Sequence, residues 1–99
     1  MALVAETGGH EIIGVGRMTK IHWTEEAEVA VVVSDEWQGR GLGRELLARL
    51  LLIGADEKLT KLGAEILPDN REIIRICEGL GFTVKHSLED QVVRAEFAL

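Results

Sequence analysis

The segment Gln38-Gly39-Arg40-Gly41-Leu42-Gly43 decides the fold, because it joins the strongest predicted strand of the chain to its longest predicted helix. Residues 28–33 form a nearly continuous apolar run with four valines, which predicts a strand buried on both faces. Residues 42–62 carry a leucine-rich stripe at helical spacing, which predicts a long amphipathic helix. Three glycines at alternate positions between these elements allow the backbone to approach a ligand closely.

The chemistry of this loop favours an anionic ligand. The amides of a first helical turn have no intrahelical acceptor, and Arg40 and Arg44 add positive charge beside them, which suits a pyrophosphate. A Walker A loop needs Gly-Lys-Ser/Thr, which is absent, and a dinucleotide fingerprint needs a different glycine spacing. The acetyl-CoA motif Q-x-x-G-x-G matches in full at Gln38, Gly41 and Gly43. A glycine-rich turn that merely caps a helix is the alternative interpretation.

The remaining pattern predicts an α+β fold in the order β-β-β-α-β-α-β-β. Further strands are predicted over residues 2–6, 11–20, 64–67, 82–86 and 91–99, and a second helix over 70–80. Gly63 is expected to cap the end of the first helix, and Gly14 and Gly16 indicate a bulge or close packing. The second helix begins either with an Asp69–Glu72 capping box or with Asn70 as its cap. We expect a mixed, mainly antiparallel sheet with both helices packed on it.

Composition limits the class of protein. The 99 residues predict a single domain over residues 1–99, and the net charge of −6 argues against a nucleic-acid partner. Cys77 is the only cysteine, and no His/Cys cluster indicates a metal site. No apolar run has membrane length and no signal peptide is recognisable, so we expect no membrane association and a cytoplasmic location.

Two motifs in order make the chain resemble the GNAT superfamily of N-acetyltransferases. The first is Val-Val-Val-Ser-Asp-Glu-Trp-Gln-Gly-Arg-Gly-Leu-Gly, at residues 31–43, and the second is Asn-Arg-Glu-Ile-Ile-Arg-Ile-Cys-Glu-Gly-Leu-Gly-Phe, at residues 70–82. They are most similar to the acetyltransferase domain of bacterial protein-lysine acetyltransferases that act on acyl-CoA synthetases. The resemblance implies the acyl-CoA N-acyltransferase fold, here without the usual first strand and two helices, which normally help to form the acceptor side of the cleft.

The resemblance also implies a set of residues that hold acetyl-CoA as co-substrate, with no metal. The backbone of the valine strand would pair with the pantetheine arm and supply the oxyanion donor, and the loop amides would hold the pyrophosphate. Asn70 would contact the pantetheine or serve only as a helix cap. The expected residues are Val31, Val32, Val33, Gln38, Gly39, Arg40, Gly41, Leu42, Gly43, Arg44 and Asn70.

Two residues are candidates for proton transfer. Glu28, at the start of the valine strand, matches a position where the family often carries a catalytic glutamate; partial desolvation would suit it as the base. Cys77 stands where many family members carry a tyrosine acid, although a buried cysteine on an apolar helix face is more often part of the core. Trp37 is expected either to cover the cofactor or to pack under it, and Trp23 to border the acceptor.

The expected function is transfer of an acetyl group from acetyl-CoA to a primary amine, with a protein lysine, such as one of an acyl-CoA synthetase, as the leading acceptor. A small amine is the alternative acceptor, and a non-catalytic acetyl-CoA-binding module is the alternative class. Because residues 2–6 would form a sheet edge, a homodimer is a further expectation.

Overall fold

A computed structural model describes all 99 residues, and it contains one six-stranded sheet and two α-helices. The apolar segments and glycine turns of the sequence account for the order of these elements. The strands are β1 (Ala2–Glu6), β2 (Ile12–Lys20), β3 (Glu26–Val33), β4 (Lys61–Ile66), β5 (Thr83–Ser87) and β6 (Val92–Ala98). The helices are α1 (Leu42–Asp56) and α2 (Arg71–Leu80), and a short 3₁₀ turn at Asp35–Trp37 precedes the glycine loop. Neither α-helix is long and apolar enough to cross a membrane.

The sheet has the strand order β1-β2-β3-β4-β6-β5, and β3–β4 is its one parallel pair. The first three strands form the predicted antiparallel meander, and β1 lies at an edge. The expected mixed, mainly antiparallel sheet is therefore confirmed.

The parallel pairing between β3 and β4 is short. It comprises the three pairs Glu26–Lys61, Ala27–Leu62 and Glu28–Gly63. Beyond Glu28, β3 pairs only with β2, and beyond Gly63, β4 pairs only with β6. The two strands thus diverge in the middle of the sheet, with α1 following the end of one and α2 following the end of the other.

Both helices pack on one face of the sheet. The core joins Leu47 and Leu50 of α1 and Ile74 of α2 to inward side chains such as Val29 and Leu62. The opposite face carries no helix, and on it Val32 is 69% exposed. The prediction that the valine strand is buried on both faces was therefore wrong, since alternate side chains of β3 point away from the helices.

Helix α1 ends at Asp56, six residues before the predicted end. Lys58 adopts a left-handed backbone conformation (φ 61°), and the Thr60 N–H donates to the Glu25 carbonyl at 2.7 Å, which turns the chain into the sheet. Gly63 is consequently a residue of β4, and its predicted role as a helix cap was wrong.

Close packing explains the two glycines of β2. A Cβ atom on Gly14 would lie 3.1 Å from side-chain carbons of Leu42 and Leu46, and one on Gly16 would lie 3.3 Å from Leu50. The pairing with β3 runs without interruption from Gly14 to Lys20, whereas the pairing with β1 shifts register between Gly14 and Ile12, so an irregularity adjoins Gly14 on the β1 side. These glycines allow α1 to lie directly on β2, which brings its N-terminus to the end of β3.

Candidate functional site

The divergence of β3 and β4 opens a mostly apolar cleft between the halves of the sheet. Val29 and Val31 line one side, Ala64 and Ile66 line the other, and Ile73 and Cys77 of α2 contribute to the same cleft. Next to the glycine loop the lining changes to Val31–Val33, Gln38, Gly43, Asn70, Glu72 and Ile73. The cleft therefore has an apolar interior and a polar end at the start of α1.

The backbone of β3 offers unpaired polar groups to this cleft. The Ser34 N–H donates to Ile13 of β2, and by alternation the backbone groups of Val32 also face β2, while those of Val29 and Val31 face the opposite side. The last β4 pair, Glu28–Gly63, is made through the Val29 N–H, so Val31 is the first residue whose backbone faces the cleft without a partner. The Val33 carbonyl points to the same side and accepts a bond of 3.2 Å from Gln38 Nε2. Of the expected valines, Val32 thus has its backbone turned to β2 and its side chain on the open face.

The glycine loop has the backbone geometry that anion binding requires. Gly39 (φ 76°) and Gly41 (φ 86°) adopt left-handed conformations that favour glycine. Gly41 is the N-cap of α1 and provides no side-chain capping bond, so the amides of residues 42–44 have no protein acceptor. Three unpaired amides at a helix N-terminus fit a phosphate group.

The flanking side chains hold this loop in place. Gln38 Nε2 also donates to Asp35 Oδ1 at 3.3 Å, so one amide group ties the loop to both β3 and the 3₁₀ turn. The Arg40 guanidinium lies over the Trp37 ring, 4.8 Å from its centroid. Trp37 therefore packs beside Arg40 of the loop.

Glu72, which the sequence analysis treated only as a capping residue, contacts the glycine loop. The Gly39 N–H donates to Glu72 Oε1 at 2.7 Å, across 33 positions of sequence. The predicted Asp69–Glu72 capping box is absent, because Asn70 is the cap of α2 and its Oδ1 accepts from the Ile73 N–H at 3.4 Å. With Asn70 Oδ1 occupied in this way, its Nδ2 group remains available at the lining of the cleft.

Glu28 lies at the point where β3 and β4 separate, on the sheet face opposite the helices. Arg94 of β6 donates to both of its carboxylate oxygens, with 3.0 Å between Nη2 and Oε2. The partial desolvation expected of Glu28 is opposed by this guanidinium and by solvent, since the Glu28 side chain is 40% exposed. Carboxylate oxygens offer about four lone-pair sites and Arg94 uses two, so Glu28 can still accept a hydrogen bond from a further donor such as an amine.

The ion pair belongs to a chain of charges across the open face. Lys61 Nζ lies 3.2 Å from Glu26 and 3.0 Å from Glu96, and Glu96 lies 3.9 Å from Arg94 Nε. The hydrogen bonds that the Lys61 ammonium donates to these carboxylates, Glu96 first, raise the pKa of Lys61, and the same bond to Glu96 lowers the pKa of Glu96. The bond to Glu28 is the main cause of the raised pKa of Arg94. The vertex of the cleft, where the pairing of β3 with β4 ends at Glu28 and Gly63, thus borders a network of paired charges.

Cys77 is buried in the core and also lines the cleft. Burial, and secondarily the charge of Glu78, raises the pKa of its thiol to about 11. This makes it a weaker acid than an ordinary thiol, so proton transfer from Cys77 to a departing thiolate would be unfavourable. Its environment favours the core interpretation.

Glu72 and Arg94 are the site residues that sequence reasoning missed. Polar alternation in β6 predicts that Arg94 faces outward, but its pairing with Glu28 depends on the β3–β4–β6 register. Trp23 occupies the β2–β3 turn fully exposed and is absent from the cleft lining. The structure contains no group of three or more His, Cys, Asp or Glu side chains arranged to hold a metal ion.

Comparison with known proteins places this geometry in a family. The family model described as acetyltransferase (GNAT) domain matches residues 1–83. A mycothiol acetyltransferase of Tsukamurella paurometabola is 37% identical over 76 residues, covering 69% of this chain and 26% of the relative. Acetyltransferase Pat of Mycolicibacterium smegmatis is 35% identical over 60 residues, covering 61% and 18%. The chain thus spans about a quarter or less of these curated relatives.

Solved structures agree with the fold. The GNAT domain of S. lividans PAT superposes with a TM-score of 0.87 at 37% identity, covering 99% of this chain and 60% of that one. An IAA acetyltransferase of Bacillus cereus superposes with a TM-score of 0.83 at 17% identity, covering 99% and 77%, which supports the fold alone. The divergent strands, the glycine loop and these matches together lead to one conclusion: the chain belongs to the GNAT acetyltransferase family.

Proposed function

We propose that the chain transfers an acetyl group from acetyl-CoA to a primary amine, and that this amine is the side chain of a protein lysine. One observation carries the proposal: β3 and β4 separate after three residue pairs, so the backbone of Val31 faces the cleft without a partner strand, beside a glycine loop with unpaired amides. An extended pantetheine arm could bond to such a strand, while its diphosphate met the loop.

The reaction requires that an amine nitrogen bond to the thioester carbonyl carbon while the carbon–sulfur bond breaks. The cleft-facing N–H of Val31 is suited to donate to the carbonyl oxygen as negative charge develops there. Glu28, held by Arg94 where β3 and β4 separate, is the proposed acceptor of the amine proton. The departing thiolate is proposed to take its proton from water or, on direct collapse of a zwitterionic intermediate, from the attacking nitrogen, which still carries a proton. Cys77 is given no part in this step, because its thiol is buried and its pKa is raised to about 11.

A protein lysine is preferred as acceptor because the similar proteins include Pat and the GNAT domain of a PAT. The acidic character of the chain, with 17 Asp and Glu against 11 Lys and Arg, would attract a cationic amine. An acyl-CoA synthetase is the proposed source of that lysine. A small amine is the second candidate, supported by the similar mycothiol acetyltransferase. The proposed location is the cytoplasm.

Binding and turnover should be measured separately. Calorimetry with acetyl-CoA, desulfo-CoA and ATP tests the site, and we expect selective binding of acetyl-CoA. Mass spectrometry then tests transfer to lysine peptides, an acyl-CoA synthetase and small amines. Binding without transfer to any of them would support a non-catalytic acetyl-CoA-binding module, and no binding by a folded chain would contradict the proposal.

A homodimer through the β1 edge is also proposed. This strand has one free edge in the sheet, and Val4 on it is 50% exposed, while Ile12 of the neighbouring strand is 58% exposed. An edge strand that has one side without a partner and carries exposed apolar side chains favours pairing with the same edge of a second copy. Light scattering should give twice the monomer mass, and a monomer mass at all concentrations would contradict this.

A further inference from the structure

The carboxylate of Glu72 occupies an amide of the same loop that the proposed function assigns to a diphosphate. Its Oε1 lies 2.7 Å from the Gly39 nitrogen, and Glu72 lines the polar end of the cleft with Gln38, Gly43 and Asn70. An anion of the protein itself is therefore bonded at the site where an anionic ligand is expected.

The position of Glu72 in α2 does not require this contact. An acidic side chain in a first helical turn ordinarily interacts favourably with the free amides of its own helix. Here Asn70 caps α2, and Glu72 instead extends to the loop before α1. The Gly39 amide is the only loop donor that the contact occupies, while those of residues 42–44 remain free.

We propose that Glu72 is a specificity-determining residue that competes with the diphosphate of acetyl-CoA for the glycine loop. Like charges at one set of donors repel, and a hydrogen bond to a carboxylate is stronger than one to a neutral acceptor. A phosphate can take the Gly39 amide only when the Glu72 side chain rotates away. The residue therefore weakens binding of phosphate-bearing ligands and leaves binding of the pantetheine arm unaffected. This inference rests on the proposed function.

The variant Glu72→Gln tests the competition, because it keeps the shape of the side chain and removes its charge. Calorimetry should compare CoA with pantetheine, which has the same thiol arm without phosphates, at one salt concentration. Glu89→Gln is the matched control, since Glu89 lies exposed in the β5–β6 turn and the variant makes the same change in net charge. Circular dichroism and the Gly39 amide resonance would verify folding and loss of the carboxylate contact.

We expect Glu72→Gln to tighten CoA binding roughly 10-fold or more, from the strength of a charged hydrogen bond, with pantetheine unchanged. Glu89→Gln should alter neither affinity by more than about twofold, the effect of a distant surface charge. Detectable CoA binding by the Glu72→Gln variant, with none by the wild-type protein, would also support the inference. Unchanged or weaker CoA binding, or equal tightening of both ligands, would overturn it while leaving the proposed function intact. Failure of both folded proteins to bind CoA would overturn the proposed function, and the inference with it.

Discussion

The ion pair between Glu28 and Arg94 can be separated into its structural and catalytic contributions by a double-mutant cycle. The perturbations are Glu28→Gln, Arg94→Gln and the double variant. Each keeps a polar side chain, and Gln matches Glu28 in length but is shorter than Arg94. The two partners lie on β3 and β6, with Gly63 of β4 beneath them: a Cβ on Gly63 would come within 2.6 Å of Glu28 Oε2. The pair therefore links both halves of the sheet across the vertex of the cleft.

The expected coupling follows from exposure and geometry. The Arg94 and Glu28 side chains are 30% and 40% exposed, so solvent screens their attraction, and exposed pairs contribute about 0.2–1 kcal/mol. Two hydrogen bonds to one guanidinium place this pair at the upper end of that range. We therefore expect a coupling free energy of about 1 kcal/mol between Glu28 and Arg94. A larger value is not expected, because Arg94 in the Glu28→Gln variant still has the carboxylate of Glu96 3.9 Å away.

Urea denaturation at neutral pH measures the four free energies of unfolding, and acetyl transfer measures turnover. If Glu28 is the base, Glu28→Gln should lower turnover by about 10²-fold or more, while Arg94→Gln lowers it less. Additive stability effects, with coupling below about 0.3 kcal/mol, would refute the structural reasoning. Equal losses of turnover in both single variants would instead assign Glu28 a positioning role only.

Three further predictions concern the core, the loop and the thiol. Leu50→Ala should lower the free energy of unfolding by about 2–5 kcal/mol, measured by urea denaturation, because Leu50 is fully buried against β2. Leu52→Ala is the control on the same helix: its side chain is 71% exposed, so stability should change by about 0.5 kcal/mol or less. Gly41→Ala should lower stability by roughly 1 kcal/mol, because φ is 86°, and should weaken acetyl-CoA binding by calorimetry; wild-type affinity would show that the loop geometry is not needed. The raised pKa of Cys77 means that the folded state binds its proton more tightly, so stability should fall as pH rises from about 9.0 to about 11, and Cys77→Ala should lose that part of the pH dependence; identical profiles would contradict it.

Local patterns predicted most of the fold. The valine run, the leucine stripe and the glycine turns located all six strands and both helices, because each signal depends on neighbouring residues. The end of α1 was missed because Leu59 and Leu62 continue the apolar pattern, although both belong to the packing beyond the helix. Burial of β3 on both faces was also wrong, since an apolar run does not reveal how many faces of a sheet carry helices.

In the candidate site, too, the features formed by neighbouring residues could be predicted and the contacts between distant segments could not. The glycine loop was recognisable because its function depends on contiguous backbone, and the structure gives its glycines positive φ. Contacts between distant segments were not recognisable. Glu72 meets Gly39 across 33 positions and Arg94 meets Glu28 across 66, so each depends on tertiary register. Their roles in binding and catalysis remain predictions.

The short parallel pairing has a consequence for cooperativity. Three residue pairs join a three-stranded unit, β1-β2-β3, to a second one, β4-β6-β5, and the helices supply the remaining connection. A ligand bonded along β3 that also touched Ile66 or α2 would act as an additional strand between these units. Hydrogen exchange should then slow in both units when ligand binds, including at amides far from the ligand, because their separate opening would become one transition. The gap between β3 and β4 would thereby make the ligand-free domain unfold less cooperatively than the ligand-bound domain.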